Sequence, residues 1–268
     1  MPVSTISPTR SSNFPTQVAS VVKNTLETLR RFGLFDMIMP ELGRAVIYRA
    51  ARPYYVCHMV WMLKIVLNEM NKAFNIPVKH CFSGYCYIPL NNKGAQINLT
   101  RARKIIFNVD GHILMLKISM SRSGKSVVYT VYNRGAGIEM NHATVIFNNG
   151  LATTPCCVSF RVHKREVNAL SGTLNRILGC GVESGKIIKM YKALYASSYE
   201  RAYGIHDIVQ SEPTCWLSTP LSVLLMEFAS LGHVEAFYVL KYHVLPALAL
   251  KGCSLQRDVL RNTSAPPF

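Results

Sequence analysis

Acidic side chains are the scarcest charged class in this chain: 14 Asp+Glu stand against 30 Lys+Arg in 268 residues, a net charge of +16. Charge of either sign is thin at 16%, below the roughly 25% of an ordinary soluble domain. The shortage bears first on catalysis, because acid/base chemistry needs positioned carboxylates or a histidine with an orienting partner. Between residues 72 and 165 the only acids are Asp110, in a predicted tight turn, and Glu139. No G-x-S-x-G, H-E-x-x-H or Rossmann glycine pattern occurs. Cys57 and His58 are neighbours on a predicted helix and so point in different directions, unlike a nucleophile and its base. The expectation is a chain with no catalytic residues, no cofactor and no enzymatic activity.

Long apolar runs are missing too. The longest uncharged run, Met140 to Phe160, is interrupted by Asn141, His142, Asn148, Asn149, Gly150 and Pro155. The most apolar stretch, around Leu221–Leu250, is broken by Glu227, Glu235 and Lys241, short of the ~20 residues a membrane-crossing helix needs. A basic-then-apolar signal pattern is absent, and Pro2 excludes N-myristoylation. The eight cysteines therefore read as reduced thiols, and the protein as intracellular, in cytoplasm or nucleus. His80, Cys81 and Cys86, with Cys156 and Cys157, lack the short-spaced pairs of a zinc site, so no metal is expected. Ser123-Gly-Lys-Ser126 resembles the tail of a phosphate-binding P-loop, but Ser119 stands where the first glycine belongs.

What is present is a segregated positive charge. Residues 1–71 carry 8 basic and 4 acidic side chains, and residues 166–268 carry 9 and 8. Residues 72–165 carry 13 and 2, about two thirds of the whole excess. Lys93, Arg101, Arg103 and Lys104 lie at or before a predicted strand. Arg122 and Lys125 sit in a loop, and Arg161, Lys164 and Arg165 mark a strand exit. If these side chains converge, they form a polyanion site, since Lys and Arg neutralise phosphates and release counterions without reading sequence. Tyr85, Tyr87, Tyr129 and Tyr132 lie nearby, either as ordinary strand aromatics or as platforms for unpaired bases.

Hydrophobic periodicity supplies the frame. A tail over 1–15 leads into a helical segment over 16–76. Its first helix runs from Thr16 to Phe32 and is closed by Gly33. A second, from after Pro53 to Phe74, is apolar nearly all round and so predicted to be buried. A basic β-rich core spans 77–165: a meander of Ile105–Val109, His112–Met120 and Val127–Tyr132, then a hairpin pairing Thr144–Phe147 with Cys156–Val162. The segment 166–262 is helical, with helices from Glu166, over Gly185–Tyr203, from Thr219-Pro220, and from His233 to Leu245 ahead of Pro246. A tail follows over 263–268. The fold class is α+β: N-terminal helices, central antiparallel meander and hairpins, and C-terminal helices covering the sheet.

On the predicted Gly185–Tyr203 helix, Tyr191, Tyr195, Tyr199 and Tyr203 recur every four residues, a row that fits either helix packing or an oligomer interface. Basic, apolar-rich and without a catalytic motif, the chain resembles in kind the matrix and nucleocapsid proteins of RNA viruses. That likeness rests on no aligned motif and carries over no residue roles. It implies a non-enzymatic, self-assembling protein that engages RNA non-specifically or an anionic membrane surface. The alternatives are a monomeric RNA-binding interaction protein of the movement, transport or silencing-suppressor type, and an enzyme acting on an anionic substrate.

Overall fold

The computed structural model describes residues 13–46, 56–77, 82–88, 97–109, 112–134, 142, 146–148, 151–179, 185–208, 215–252 and 254. Several sequence expectations fall outside them: residues 1–12 of the tail expected over 1–15, the tail 263–268, Lys93, His80, Cys81, Asp110 and Glu139, and the turns at 110–111 and 149–150. The last two residues of the 1–15 tail, Phe14 and Pro15, instead open the first helix. The architecture is α+β, with helices, then strands, then helices.

The N-terminal helices are α1 (Phe14–Arg31), α2 (Phe35–Val46) and α3 (Val56–Phe74). Helix α1 buries Val21, Val22, Leu26 and Leu29 on one stripe. It ends where Gly33 takes φ +67°, with the Gly33 N–H on the Arg30 carbonyl and the Leu34 N–H on the Leu29 carbonyl. That glycine-terminated closure also seats Leu34 against the core. Helix α2, with Pro40 inside it, was not anticipated. Helix α3 is not buried all round: Trp61 is 44% exposed, meeting Phe32 at 5.5 Å, and Cys57 is exposed.

A six-stranded sheet follows the order β1-β2-β3-β4-β7-β8, formed by β1 (Tyr85–Ile88), β2 (Arg103–Val109), β3 (His112–Met120), β4 (Ser126–Tyr132), β7 (Cys157–His163) and β8 (Ser198–Tyr203). Only the β1–β2 pair is parallel. A small sheet joins β5 (Ile146–Asn148), β6 (Leu151–Pro155) and β9 (His206–Ile208). The predicted meander β2-β3-β4 is present. The second hairpin differs from expectation: Ile146 pairs with Thr153 and Asn148 with Leu151, which makes β6 the partner of β5. Past Cys156 the chain changes sheets, and β7 pairs with β4 instead.

Helices cover both faces of the large sheet. On one face α4 (Val167–Gly179) and α5 (Lys186–Ser197) pack on Ile105, Phe107, Leu116, Tyr129, Phe160 and Val162. On the other, α6 (Cys215–Ser230) and α7 (Val234–Val239) join α1–α3 over Ile106, Ile113, Met115, Tyr132 and Cys157. The second layer is incomplete. Near His112 and Tyr132 successive residues are buried on both faces, whereas Lys117, Ser119, Val128, Thr130, Ser159 and Arg161 are half-exposed. Proline accounts for two differences among the C-terminal helices. Pro220 lies inside α6 rather than at its start, and Thr219 bonds the Ile113 carbonyl of β3. After α7 the helix does not stop before Pro246. A π turn at Leu240–Val244, with the Leu245 N–H on the Leu240 carbonyl, precedes residues 245–252, which remain helical. Widening the turn accommodates a ring that would otherwise press on the preceding turn.

Candidate polyanion interface

Register decides which basic residues meet. Arg103 opens β2 opposite Ile118, Ile118 faces Tyr129, and Tyr129 faces Phe160. The start of β2, the β3–β4 loop and the exit of β7 therefore lie at one end of the sheet. Arg101, Arg103, Arg122, Lys125, Lys164 and Arg165 are all exposed there. Strands ~4.8 Å apart put the span from β2 to β7 at about 15 Å.

Local hydrogen bonds hold each carrier in place. Asn175 of α4 grips the backbone of Ile97 on both sides, its Oδ1 accepting at 2.7 Å and its Nδ2 donating at 2.8 Å. The Asn98 side chain then accepts from the Thr100 N–H at 3.0 Å, turning the chain toward Arg101. In the β3–β4 loop Gly124 takes φ +67°, its N–H bonds the Ser121 carbonyl, and the Ser121 hydroxyl accepts from the Ser126 N–H. Serines thus satisfy the backbone while Arg122 and Lys125 stay in solvent. This loop joins two strands, so Ser123-Gly-Lys-Ser126 lacks the helix that a P-loop opens. The Lys164 N–H bonds the Lys125 carbonyl at 3.1 Å, which ties the β7 exit to the loop. Helix α4 begins just beyond, its N-terminal dipole adding to the positive field.

Not every predicted cation belongs to this group. Lys104 lies on the opposite face from Arg103, its Nζ 5.3 Å from the Tyr85 ring centroid. Arg161 pairs with Glu200 at 3.1 Å, and Arg165 approaches Glu166 at 3.7 Å. Lys117, which sequence reasoning passed over, bonds Glu227 at 3.1 Å. Arg101, Arg103, Arg122, Lys125 and Lys164 have no ion-pair partner among the described residues.

Of the two readings open for the strand tyrosines, Tyr129 and Tyr132 follow the ordinary one, as packed strand aromatics. Tyr129 is buried, donates to the Leu99 carbonyl at 2.9 Å, and is pushed up to about 12 by that burial. Tyr132 is likewise buried and raised, chiefly by desolvation. Neither is open to a base. The tyrosine row is not one helix face, because α5 stops at Ser197 and the chain continues as β8. Tyr191 is a core residue, and Tyr195 packs on Phe160 at 5.0 Å. Tyr199 and Tyr203 sit on the edge strand, 48% and 46% exposed. The Tyr199 ring stacks on His163, centroids 4.0 Å apart and planes 15° from parallel. His163 was open to notice from sequence, since it ends a predicted strand just before Lys164 and Arg165; Tyr199 was hidden by its helical assignment.

A separate polar cluster lies at the far end of β4. His112 contacts Asn133 at 2.6 Å, and His142 bridges the Pro155 carbonyl and the Tyr191 hydroxyl. Arg134, buried, faces Asp207 at 3.7 Å, and Lys241 bonds Asp207 at 2.7 Å. Burial lowers His142 to about 4 and also lowers His112 and Arg134. Cys156 and Cys157 adjoin this cluster as buried thiols, that of Cys157 raised by its hydrogen bond with Cys156 and by burial. Among the described residues no three His, Cys, Asp or Glu side chains are grouped to hold a metal ion. No described helix is long and apolar enough to cross a membrane.

No protein-family model matches the chain, and neither a curated protein nor a solved structure shows detectable similarity to it.

Proposed function

We propose that this chain is a non-enzymatic RNA-binding protein that engages the phosphate backbone without reading sequence and self-assembles on it, in the manner of a matrix or nucleocapsid protein. The observation that carries the proposal is the gathering of Arg101, Arg103, Arg122, Lys125 and Lys164 at one end of the sheet, exposed and without an acidic partner among the described residues. Such a cluster attracts a polyanion through the summed field and binds by releasing its counterions. Cations held on fixed strand ends and a braced loop cost little ordering on binding. Self-assembly is supported by β8, which pairs on one side only among the described strands and leaves a backbone row for a second copy.

Charge reversal tests the site. Arg103→Glu, Lys125→Glu and Lys164→Glu together should weaken single-stranded RNA binding at least about a hundredfold at low salt. A control with the same change in net charge, Arg31→Glu with Lys192→Glu and Lys251→Glu, should lose far less. Equal losses would reduce the effect to net charge and remove the site. Binding by wild type to phosphatidylserine vesicles but not to RNA would move the reading to a membrane surface.

A further inference from the structure

We infer that His163 and Tyr199 form a base-stacking platform, so that the basic end takes single-stranded rather than duplex RNA. The inference rests on the polyanion reading above and specifies the form of its ligand. The two rings come from different strands, and a backbone irregularity brings them together. Arg161 faces Glu200, so a regular β7–β8 ladder would set Tyr199 opposite Val162. Instead Val162 pairs with Ser198, and Tyr199 becomes the extra residue of a bulge. Bulges on edge strands re-aim side chains. Here the displaced ring lies flat on His163 with nearly half its surface in water.

Position gives the stack its function. His163 pairs with Ser126, directly after Lys125, and is followed by Lys164, whose N–H bonds the Lys125 carbonyl. The exposed rings thus sit beside two cations without an ion-pair partner among the described residues, phosphate contacts next to a flat π surface. That is how proteins hold single strands: a basic track follows the backbone while aromatic faces receive bases. A duplex keeps its bases stacked on each other and gives such a platform nothing to hold. Burial of an apolar ring does not explain the arrangement, since His163 and Tyr199 are both exposed.

The test compares one RNA strand of about 12 nucleotides with a duplex of the same length, within the span that single-strand binding modules cover. Tyr199→Ala and His163→Ala should each weaken single-strand binding about five- to 150-fold, the loss expected for one stacked base. Both should leave duplex affinity and the salt dependence nearly unchanged. Tyr199→Phe and Tyr199→Trp keep a ring and should restore single-strand binding, which a merely structural role of the phenol would not produce. An unchanged single-strand affinity in Tyr199→Ala, or an equal loss on both RNAs, overturns the platform while leaving the phosphate site standing. Failure of wild type to bind either RNA overturns the parent reading, and the platform with it.

Discussion

Tyr191 places its hydroxyl on His142 inside the core, where neither group has water to turn to. Removing one partner strands the other, which costs about 1–3 kcal/mol for a buried polar group. Tyr191→Phe should therefore lower unfolding free energy by about that much in urea titrations without altering RNA binding; a loss of RNA affinity at unchanged stability would contradict a structural role. His142 makes a second prediction. Its folded-state value of about 4 lies below the ~6.5 of an unfolded histidine, so the unfolded chain takes up the proton first. The stability held above pH ~6.5 should drain away as pH falls toward 4, on the order of 3 kcal/mol in all. Urea midpoints at pH 7.5 and 5 measure this, and His142→Gln should flatten much of the difference. A wild-type midpoint independent of pH would show that His142 is not held neutral. The sequence does not announce the pair: His142 is one polar residue in a run that reads as a hairpin, and the spacing of Tyr191 fits helix packing and an oligomer interface equally well.

At the scale of elements, the tyrosine row shows where pattern reading ran out. A spacing of four residues suits a helix, but four is also an even number and suits the strand period of two. Residues 198–203 could satisfy either, and the unpaired edge of β7 decided the matter by accepting them as a strand. The meander was legible because its strands carry unbroken β-branched and apolar runs. Strand β6, by contrast, is Leu-Ala-Thr-Thr-Pro and offers no such run, which is why the hairpin was given the wrong partner. Close packing where the chain leaves β8 yields a further test. A Cβ added at Gly204 would meet the Cys157 Sγ at 2.6 Å and the Cys156 Sγ at 3.0 Å. Gly204→Ala should destabilise by about 1–3 kcal/mol, the usual cost of overpacking, seen as a lower melting temperature. An unshifted melting temperature would mean that β8 does not pack against Cys156 and Cys157 in this way.

For the whole molecule, the sequence showed how much charge lies in the middle third but not whether it converges. Convergence depends on register: one residue of slip in β2 would exchange the faces of Arg103 and Lys104. Nor could spacing reveal which cations are neutralised at long range, as Lys117 is by Glu227, 110 residues away. Helices on both faces of the sheet leave its basic end open, and the central claim is that this end holds phosphates. Affinity for single-stranded RNA measured across a salt series tests it most directly. With each neutralised phosphate contributing about −0.7 for a single strand, engagement of four or five of these exposed cations predicts a slope of log K against log salt near −3. Arg103→Glu with Lys125→Glu and Lys164→Glu should bring that slope to about −1 or flatter. Wild type and variant binding with the same slope, or wild type binding independently of salt, would contradict the phosphate site.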